Sequence, residues 1–323
     1  MADAAQPIDF TGQTVIVTGG AAGIGRAYCL AFAERGARVV VNDLEGAGQE
    51  RAEEVVERIR AAGGEAIASL HSVATREGGE AIIADALAAY GRIDALVNNA
   101  GVLLDDPLEE LSDADIDAMI AIHLKGAFHL TRPAFRAMKA AGYGRIVFTG
   151  SSSGMFGHAW HAAYGAAKTG LLGLSNVTAL EGAPHGILSN IVMPNAMTAL
   201  ASGIKQGFRD NADFMASVNR VDFTTLMPAL RPEFTAPLVV YLASRACRST
   251  HNIYSQAGNR YARVVIGEAE GWLAGLDQPP GAEEISANIG RIEDIRTVHL
   301  PMTNYDELGL SIAANQARTA KRP

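Results

Sequence analysis

Cysteine is scarce in this chain, with only Cys29 and Cys247 among 323 residues. Two thiols cannot build a disulfide framework, and they form no metal-spaced cluster, so we expect reduced thiols and no metal site. No apolar run reaches the roughly 18 residues that span a bilayer, and residues 1–10 lack the apolar core of a signal peptide. We therefore expect a cytoplasmic protein that does not use a membrane.

Basic residues are too few to give the chain a positive surface. There are 27 Lys and Arg against 35 Asp and Glu, a formal net charge of -8. This balance argues against nucleic acid as a partner, because phosphate backbones usually select a basic face. A phosphate-bearing cofactor is still compatible, since glycine loops bind phosphate through main-chain N–H groups. Apolar residues make up 48% of the chain, enough for the core of one large domain or two small ones.

Short β-branched runs alternate with helical segments along the first 193 residues. This alternation predicts βαβ units, and hence an α/β fold with a Rossmann-type doubly wound parallel sheet. The predicted strands are 14–18, 38–42, 65–70, 93–97, 144–149 and 187–193, and the predicted helices are 25–36, 50–62, 77–90, 113–138 with a possible break near Gly126, and 164–181.

The pattern weakens after Pro194. Residues 232–243 are predicted to form another helix, and residues 259–266 an edge strand. We assign residues 1–270 to a single dinucleotide-binding catalytic domain. Residues 271–323 are more polar, and we interpret them as a C-terminal extension rather than a second domain.

The turn after the first predicted strand is rich in glycine. Gly19, Gly23 and Gly25 would let the backbone turn sharply and approach a pyrophosphate at the N-terminus of the next helix. Asp43 follows the second strand, 18 residues after Gly25. A carboxylate there can accept hydrogen bonds from the adenosine ribose diol and would repel a 2′-phosphate, which favours NAD over NADP.

Tyr164 and Lys168 are four residues apart on a predicted helix, so their side chains share a face. A free tyrosine has a pKa near ~10, and a neighbouring ammonium would lower it toward the range of a useful base. The pair gains weight from Ser151, which follows the fifth strand at the edge where ligands bind such sheets. Turn chemistry explains both Ser152 and Ser153, and Ser153 is also kept as a candidate substrate contact.

In order and spacing, these elements resemble those of the short-chain dehydrogenase/reductase family. The motifs are Thr18–Gly25, Asn98–Gly101, Ser151 and Tyr164–Lys168. The resemblance implies that Ser151 orients the substrate oxygen, that Tyr164 is the acid–base group, and that Lys168 assists it and binds the nicotinamide ribose. The implied NAD-binding residues are Gly19, Ala22, Gly23, Ile24, Gly25, Asp43, Ser72, Val73, Asn99, Ala100, Gly101, Tyr164, Lys168 and Pro194.

Segments 39–44, 123–128, 143–147 and 170–174 are also similar to the (3R)-hydroxyacyl-CoA dehydrogenase units within that family, which are also described as 17β-hydroxysteroid dehydrogenases. The implied substrate is a secondary alcohol on a hydrophobic body, either a hydroxysteroid or a 3-hydroxyacyl-CoA. His123 stands where many members have an Asn of a proton relay, and we include it among the catalytic candidates. The substrate candidates are Ser151, Ser153, Trp160, His161, Tyr164 and Met197.

Residues 195–227 stand where the family places its substrate lid, and core packing by an amphipathic helix explains their apolar side chains equally well. Lys205, Arg209 and Arg220 could contact CoA phosphates or simply lie on the solvated surface. The sequence is also compatible with three other functions. They are a dehydrogenase of another aromatic or hydrophobic alcohol, an epimerase or lyase of the same fold, and a catalytically idle sensor or scaffold that binds NAD(H). The resemblance further implies a homodimer or homotetramer.

Overall fold

A computed structural model describes residues 7–44, 47–198, 211–218 and 222–320. The chain divides into two compact units, Met1–Arg263 and Val264–Pro323. Much of the predicted lid, including Lys205, Arg209 and Arg220, lies outside the described residues. Among the described residues, no helix combines the length and the apolar character needed to cross a membrane.

The first unit is built on an eight-stranded sheet in the order β3-β2-β1-β4-β5-β6-β7-β8. Neighbouring strands from β3 to β7 pair in parallel. The chain winds outward from β1 in one direction and then in the other, so the predicted doubly wound fold is confirmed. The strands are β1 Thr14–Thr18, β2 Arg38–Asn42, β3 Glu65–Ser69, β4 Ala95–Asn98, β5 Gly144–Thr149, β6 Ile187–Asn195, β7 Asn252–Ala257 and β8 Arg260–Val264.

Helices cover both faces of this sheet. Contacts group α1, α2 and α9 into one layer and α3, α5 and α7 into the other. Central strands such as β1 are therefore buried along their whole length, which explains why their sequences are continuous apolar or β-branched runs. The helices are α1 Gly23–Ala33, α2 Ala47–Ala61, α3 Arg76–Tyr90, α4 Asp113–Met119, α5 Gly126–Ala141, α6 Ser152–Phe156, α7 Ala162–Gly182, α8 Ala212–Val218 and α9 Ala236–Ala243.

Three features of this unit differ from the sequence prediction. The segment predicted as one helix over 113–138 contains a π-helical turn, Ile120–Lys125, and does not break at Gly126. Helix α6 and strand β7 were not predicted. Strand β7 has a mixed sequence, Asn-Ile-Tyr-Ser-Gln-Ala, and pairing with β6 stabilises it. Strand β8 follows after a two-residue turn, which only an antiparallel neighbour allows.

The second unit contains two helices and a small ribbon. Helix α10 spans Ala282–Ile292 and α11 spans Asn304–Ala320. Strands β9 (Glu268–Ala269) and β10 (Val298–His299) pair antiparallel. The interpretation of residues 271–323 as an extension stays a prediction.

Candidate active site

A cleft of about 540 Å³ opens at the carboxyl ends of the central strands. This is where doubly wound sheets bind ligands. All fourteen residues that the sequence suggested for NAD binding line it, together with Ser151, Ser153, His123 and His161. Trp160 and Met197 are not among the lining residues, and Met197 is 51% exposed. Of the candidates within the described residues, the structure therefore brings together all except these two.

The glycine loop is shaped as a cradle for an extended anionic group. Gly19 has φ +63°, and a Cβ there would lie 2.9 Å from Ala100 Cα. A Cβ on Gly25 would collide with the main-chain oxygen of Gly19. The N-terminus of α1 has no side-chain cap, so its free N–H groups can receive a phosphate. These residues fit a dinucleotide.

Thr18 and Asn99 join this loop to the one that follows β4. The Thr18 hydroxyl accepts hydrogen bonds from the main-chain N–H groups of Asn99 and Ala100, each at 3.0 Å. Asn99 Nδ2 donates in return to Thr18 O at 2.9 Å. The two walls of the cleft are thus fixed relative to each other before any ligand binds.

Asp43 and Arg51 line the end of the cleft beside β2. Asp43 Oδ2 accepts from Ala21 N at 3.1 Å, and its Oδ1 accepts from Leu44 N at 2.9 Å. The carboxylate therefore braces the glycine loop as well as facing the cleft. Arg51, on α2, was not among the residues predicted from the sequence.

Ser151, Tyr164 and Lys168 converge in the cleft from two helices. Ser151 caps α6, and its Oγ accepts from Ser153 N at 3.1 Å. Lys168 is buried on α7, where its Nζ donates to Thr149 O at 2.7 Å and lies 5.6 Å from the centre of the Tyr164 ring. The i, i+4 spacing that predicted a shared face thus places the two side chains at the same point of the cleft.

Burial dominates the electrostatics of this group. It raises the pKa of Tyr164; hydrogen bonding by Ser151 lowers that pKa, and the negative charge of Asp105 raises it further. Burial lowers the pKa of Lys168 to about 7 from an ordinary value of 10.5. The tyrosine therefore needs a nearby positive charge to act as a base at neutral pH.

His123 lies in the π-helical turn, a local geometry often found at functional sites. Its ring stands at 90° to the Tyr164 ring, with centroids 5.2 Å apart. Its Nε2 donates to Val102 O at 2.7 Å. Burial, followed by the charge of Lys168, lowers the pKa of His123 to about 3, so the imidazole is neutral.

His161 closes the other side of Tyr164. Its Nδ1 lies 3.1 Å from Ser153 Oγ, and its Nε2 lies 3.3 Å from Asp105 Oδ2. The sequence analysis missed Asp105, which carries no motif. Trp160, just before His161, takes the left-handed backbone conformation with φ +71°. Its ring lies 5.0 Å from that of Phe214 on α8, outside the cleft.

Comparisons with known proteins identify the family of this chain. A family model described as short chain dehydrogenase matches residues 13–207. The peroxisomal multifunctional enzyme type 2 of Mus musculus is 37% identical over 312 residues, which are 94% of this chain and 40% of that protein. The hydroxyacyl-CoA dehydrogenase ChsB1 of Mycobacterium tuberculosis is 37% identical over 250 residues, 74% of this chain and 74% of that protein.

Solved structures give the same result. The full-length peroxisomal multifunctional enzyme type 2 from Drosophila melanogaster matches with a TM-score of 0.77 and 32% identity. The match covers 96% of this chain and 50% of that one. This chain therefore spans half or less of the length of these multifunctional relatives.

Proposed function

Because the chain belongs to the short-chain dehydrogenase family, we propose that it uses NAD to oxidise the 3-hydroxyl group of a hydroxyacyl-CoA thioester, reversibly, to the ketone. Membership makes it an oxidoreductase that acts on a CH–OH group with a nicotinamide cofactor. The observation that carries the proposed acid–base chemistry is the convergence of Ser151, Tyr164 and Lys168 in the cleft that the glycine loop also lines.

In the proposed reaction Tyr164 takes the proton of the substrate hydroxyl. The hydrogen on the carbon that bears this hydroxyl leaves as hydride. An oxidised nicotinamide, when bound, accepts that hydride. Ser151 holds the substrate oxygen. Because its Oγ already accepts from Ser153 N, the Ser151 hydroxyl has a fixed position from which its own proton can be donated.

Lys168 offsets the cost of forming a buried phenolate. Its ammonium is held near the Tyr164 ring by the hydrogen bond to Thr149 O. His123, with its pKa near 3, is neutral at pH 7 and serves in this proposal as a fixed wall beside Tyr164.

The preference for NAD rests on Asp43. Its carboxylate faces the end of the cleft, where it can accept hydrogen bonds from a ribose diol and would repel a 2′-phosphate. Arg51 lines the same end and acts in the opposite direction. We give the carboxylate the greater weight because two main-chain N–H groups hold it in place, whereas Arg51 is exposed.

The proposed substrate class rests on the family and on the polar wall of the cleft. One relative is named a hydroxyacyl-CoA dehydrogenase. In addition, Ser153 and His161 line the cleft beside Tyr164, so this wall is not purely apolar. A thioester presents polar atoms close to its reacting hydroxyl, whereas a steroid presents mainly hydrocarbon there.

The decisive experiment measures NADH formation by the purified protein with both enantiomers of 3-hydroxybutyryl-CoA, a 17β-hydroxysteroid and an aromatic secondary alcohol. We expect the thioester to give the highest kcat/KM. Tyr164→Phe is the control, and turnover that survives this substitution would overturn the catalytic assignment. Conversion of the substrate without stoichiometric NADH would instead indicate an epimerase or a lyase.

We also propose a homodimer or homotetramer. Helices α5 and α7 leave apolar side chains on the surface, among them Phe128, Val177 and Leu180, which are 41%, 52% and 46% exposed. Light scattering on the purified protein tests this proposal, and a monomer at micromolar concentration would refute it.

A further inference from the structure

Asp105, His161 and Ser153 form a row of polar contacts beside Tyr164. Asp105, in the loop after β4, is 5% exposed, and its Oδ2 lies 3.3 Å from His161 Nε2. His161 Nδ1 lies 3.1 Å from the hydroxyl oxygen of Ser153 on α6. The His161 side chain is only 13% exposed. No step of the proposed oxidation uses the contacts among these three side chains.

Two neighbouring rings and the backbone of the preceding residue restrict the orientation of the His161 ring. His158 stacks on it, with centroids 4.0 Å apart and planes 18° from parallel. The Tyr164 ring meets it nearly edge-on at 5.7 Å. The preceding residue, Trp160, has φ +71°, a conformation that costs a bulky side chain energy and occurs most often at functional sites. The ring thus has one orientation, with each nitrogen assigned a partner.

The contact with His161 also constrains the Ser153 hydroxyl. A carboxylate only accepts, so a hydrogen bond between Nε2 and Asp105 requires a proton on Nε2. When the ring is an imidazolium, Nδ1 also donates, to Ser153 Oγ, and the Ser153 O–H is free to donate into the cleft. When the ring is neutral, Nδ1 accepts and the Ser153 O–H is occupied. The first arrangement is the one in which Ser153 can donate to a ligand in the cleft.

We propose that Asp105 and His161 are positioning residues that direct the Ser153 hydroxyl to a second oxygen of the substrate, a carbonyl two carbons from the reacting alcohol. This inference rests on the proposed function and names the part of the substrate that the cleft selects. Ser151 and Tyr164 bind the reacting oxygen, and Ser153, two residues along from Ser151, binds the carbonyl. β-Hydroxy thioesters and esters carry both oxygens, whereas an isolated secondary alcohol carries one.

A matched pair of substrates tests this directly. Ethyl 3-hydroxybutanoate and 4-ethoxybutan-2-ol share the reacting alcohol and differ in the carbonyl. The measured quantity is the ester-to-ether ratio, kcat/KM for the ester divided by kcat/KM for the ether. We expect this ratio to exceed one in the wild-type protein, and Ser153→Ala to reduce it about three- to tenfold, the effect of one hydrogen bond. Ser152→Ala, the neighbouring serine, should keep the ratio. An equal loss on both substrates in Ser153→Ala would overturn the proposal.

The positioning role has its own readout. His161→Phe keeps a ring to stack on His158 but bonds neither partner, so it should reduce the ester-to-ether ratio as far as Ser153→Ala does. His161→Gln can still bridge the two partners and should restore part of it. Asp105→Asn should raise KM for the ester more than it lowers kcat. Unchanged ratios in Asp105→Asn and His161→Phe would overturn the positioning role.

The two proposals fail in different ways. Absence of turnover on 3-hydroxybutyryl-CoA, with the ester still preferred over the ether, would refute the CoA substrate and leave the Ser153 assignment standing. Oxidation of the CoA thioester with no preference for the ester would refute the Ser153 assignment alone. Oxidation of neither the thioester nor the ester–ether pair would refute both.

Discussion

Lys168 donates a hydrogen bond from its Nζ to the main-chain oxygen of Thr149, 2.7 Å away, from a position with almost no solvent contact. One neutral acceptor does not replace the hydration of an ammonium ion, so burial lowers the pKa of Lys168 to about 7. The hydrogen bond holds the side chain beside Tyr164, at a cost to stability that depends on pH.

That cost gives the first prediction. Between pH 7 and the ordinary lysine pKa of 10.5, the unfolded chain binds a proton at Lys168 that the folded chain releases, so the free energy of unfolding should rise with pH. Lys168→Met should flatten this rise and should be more stable than the wild type near pH 7. Urea unfolding at pH 7 and pH 9 measures both effects, and identical pH slopes for the two proteins would contradict the assignment.

Ser151 should control the pH at which Tyr164 becomes a base. Its hydrogen bond lowers the pKa of Tyr164, against the larger effect of burial. Ser151→Ala removes that contribution, so the acidic limb of kcat/KM for alcohol oxidation should move to higher pH. The maximal rate should also fall, by ~10²-fold, because the substrate oxygen loses its partner. A limb at the wild-type pH would show that Ser151 does not act on Tyr164.

Asp43 and Arg51 should set the choice between NAD and NADP. Asp43→Asn keeps an oxygen that can accept from Ala21 N but removes the charge that would repel a 2′-phosphate. We expect kcat/KM for NADP to rise about tenfold relative to NAD in this variant. Arg51→Ala should change the ratio in the opposite direction. Steady-state kinetics with both cofactors measure the effect, and a wild type that prefers NADP would refute the role given to Asp43.

Gly25 should be indispensable to cofactor binding for a steric reason. A methyl group there would meet the main-chain oxygen of Gly19, so Gly25→Ala must distort the loop. We expect NADH affinity, followed by fluorescence titration, to fall more than tenfold, with a lower Tm. Gly290→Ala is the control, because a Cβ on this glycine of α10 meets open space. It should leave NADH affinity unchanged, and equal losses in both variants would contradict the steric argument.

The sequence predicted the architecture well where the signal is local. Buried parallel strands require continuous apolar runs, and the strands at 14–18, 38–42 and 144–149 were confirmed with their bounds. The family resemblance, read from the glycine loop, Ser151 and the Tyr164–Lys168 pair, was likewise confirmed. Strand β7 was missed because its stability comes from pairing with β6, about sixty residues earlier.

The fold class and the candidate residues for the chemistry can be predicted from the sequence, because helix and strand periodicity and short motifs are properties of neighbouring residues. The surroundings of Tyr164 depend instead on the packing of distant segments. Asp105 and His161 lie far apart in the chain, yet the loops after β4 and before α7 bring them to 3.3 Å. Arg51 reaches the cleft through the direction of α2, whereas Trp160 lies outside the cleft, against Phe214. Such contacts depend on how the elements pack, and no local pattern encodes them.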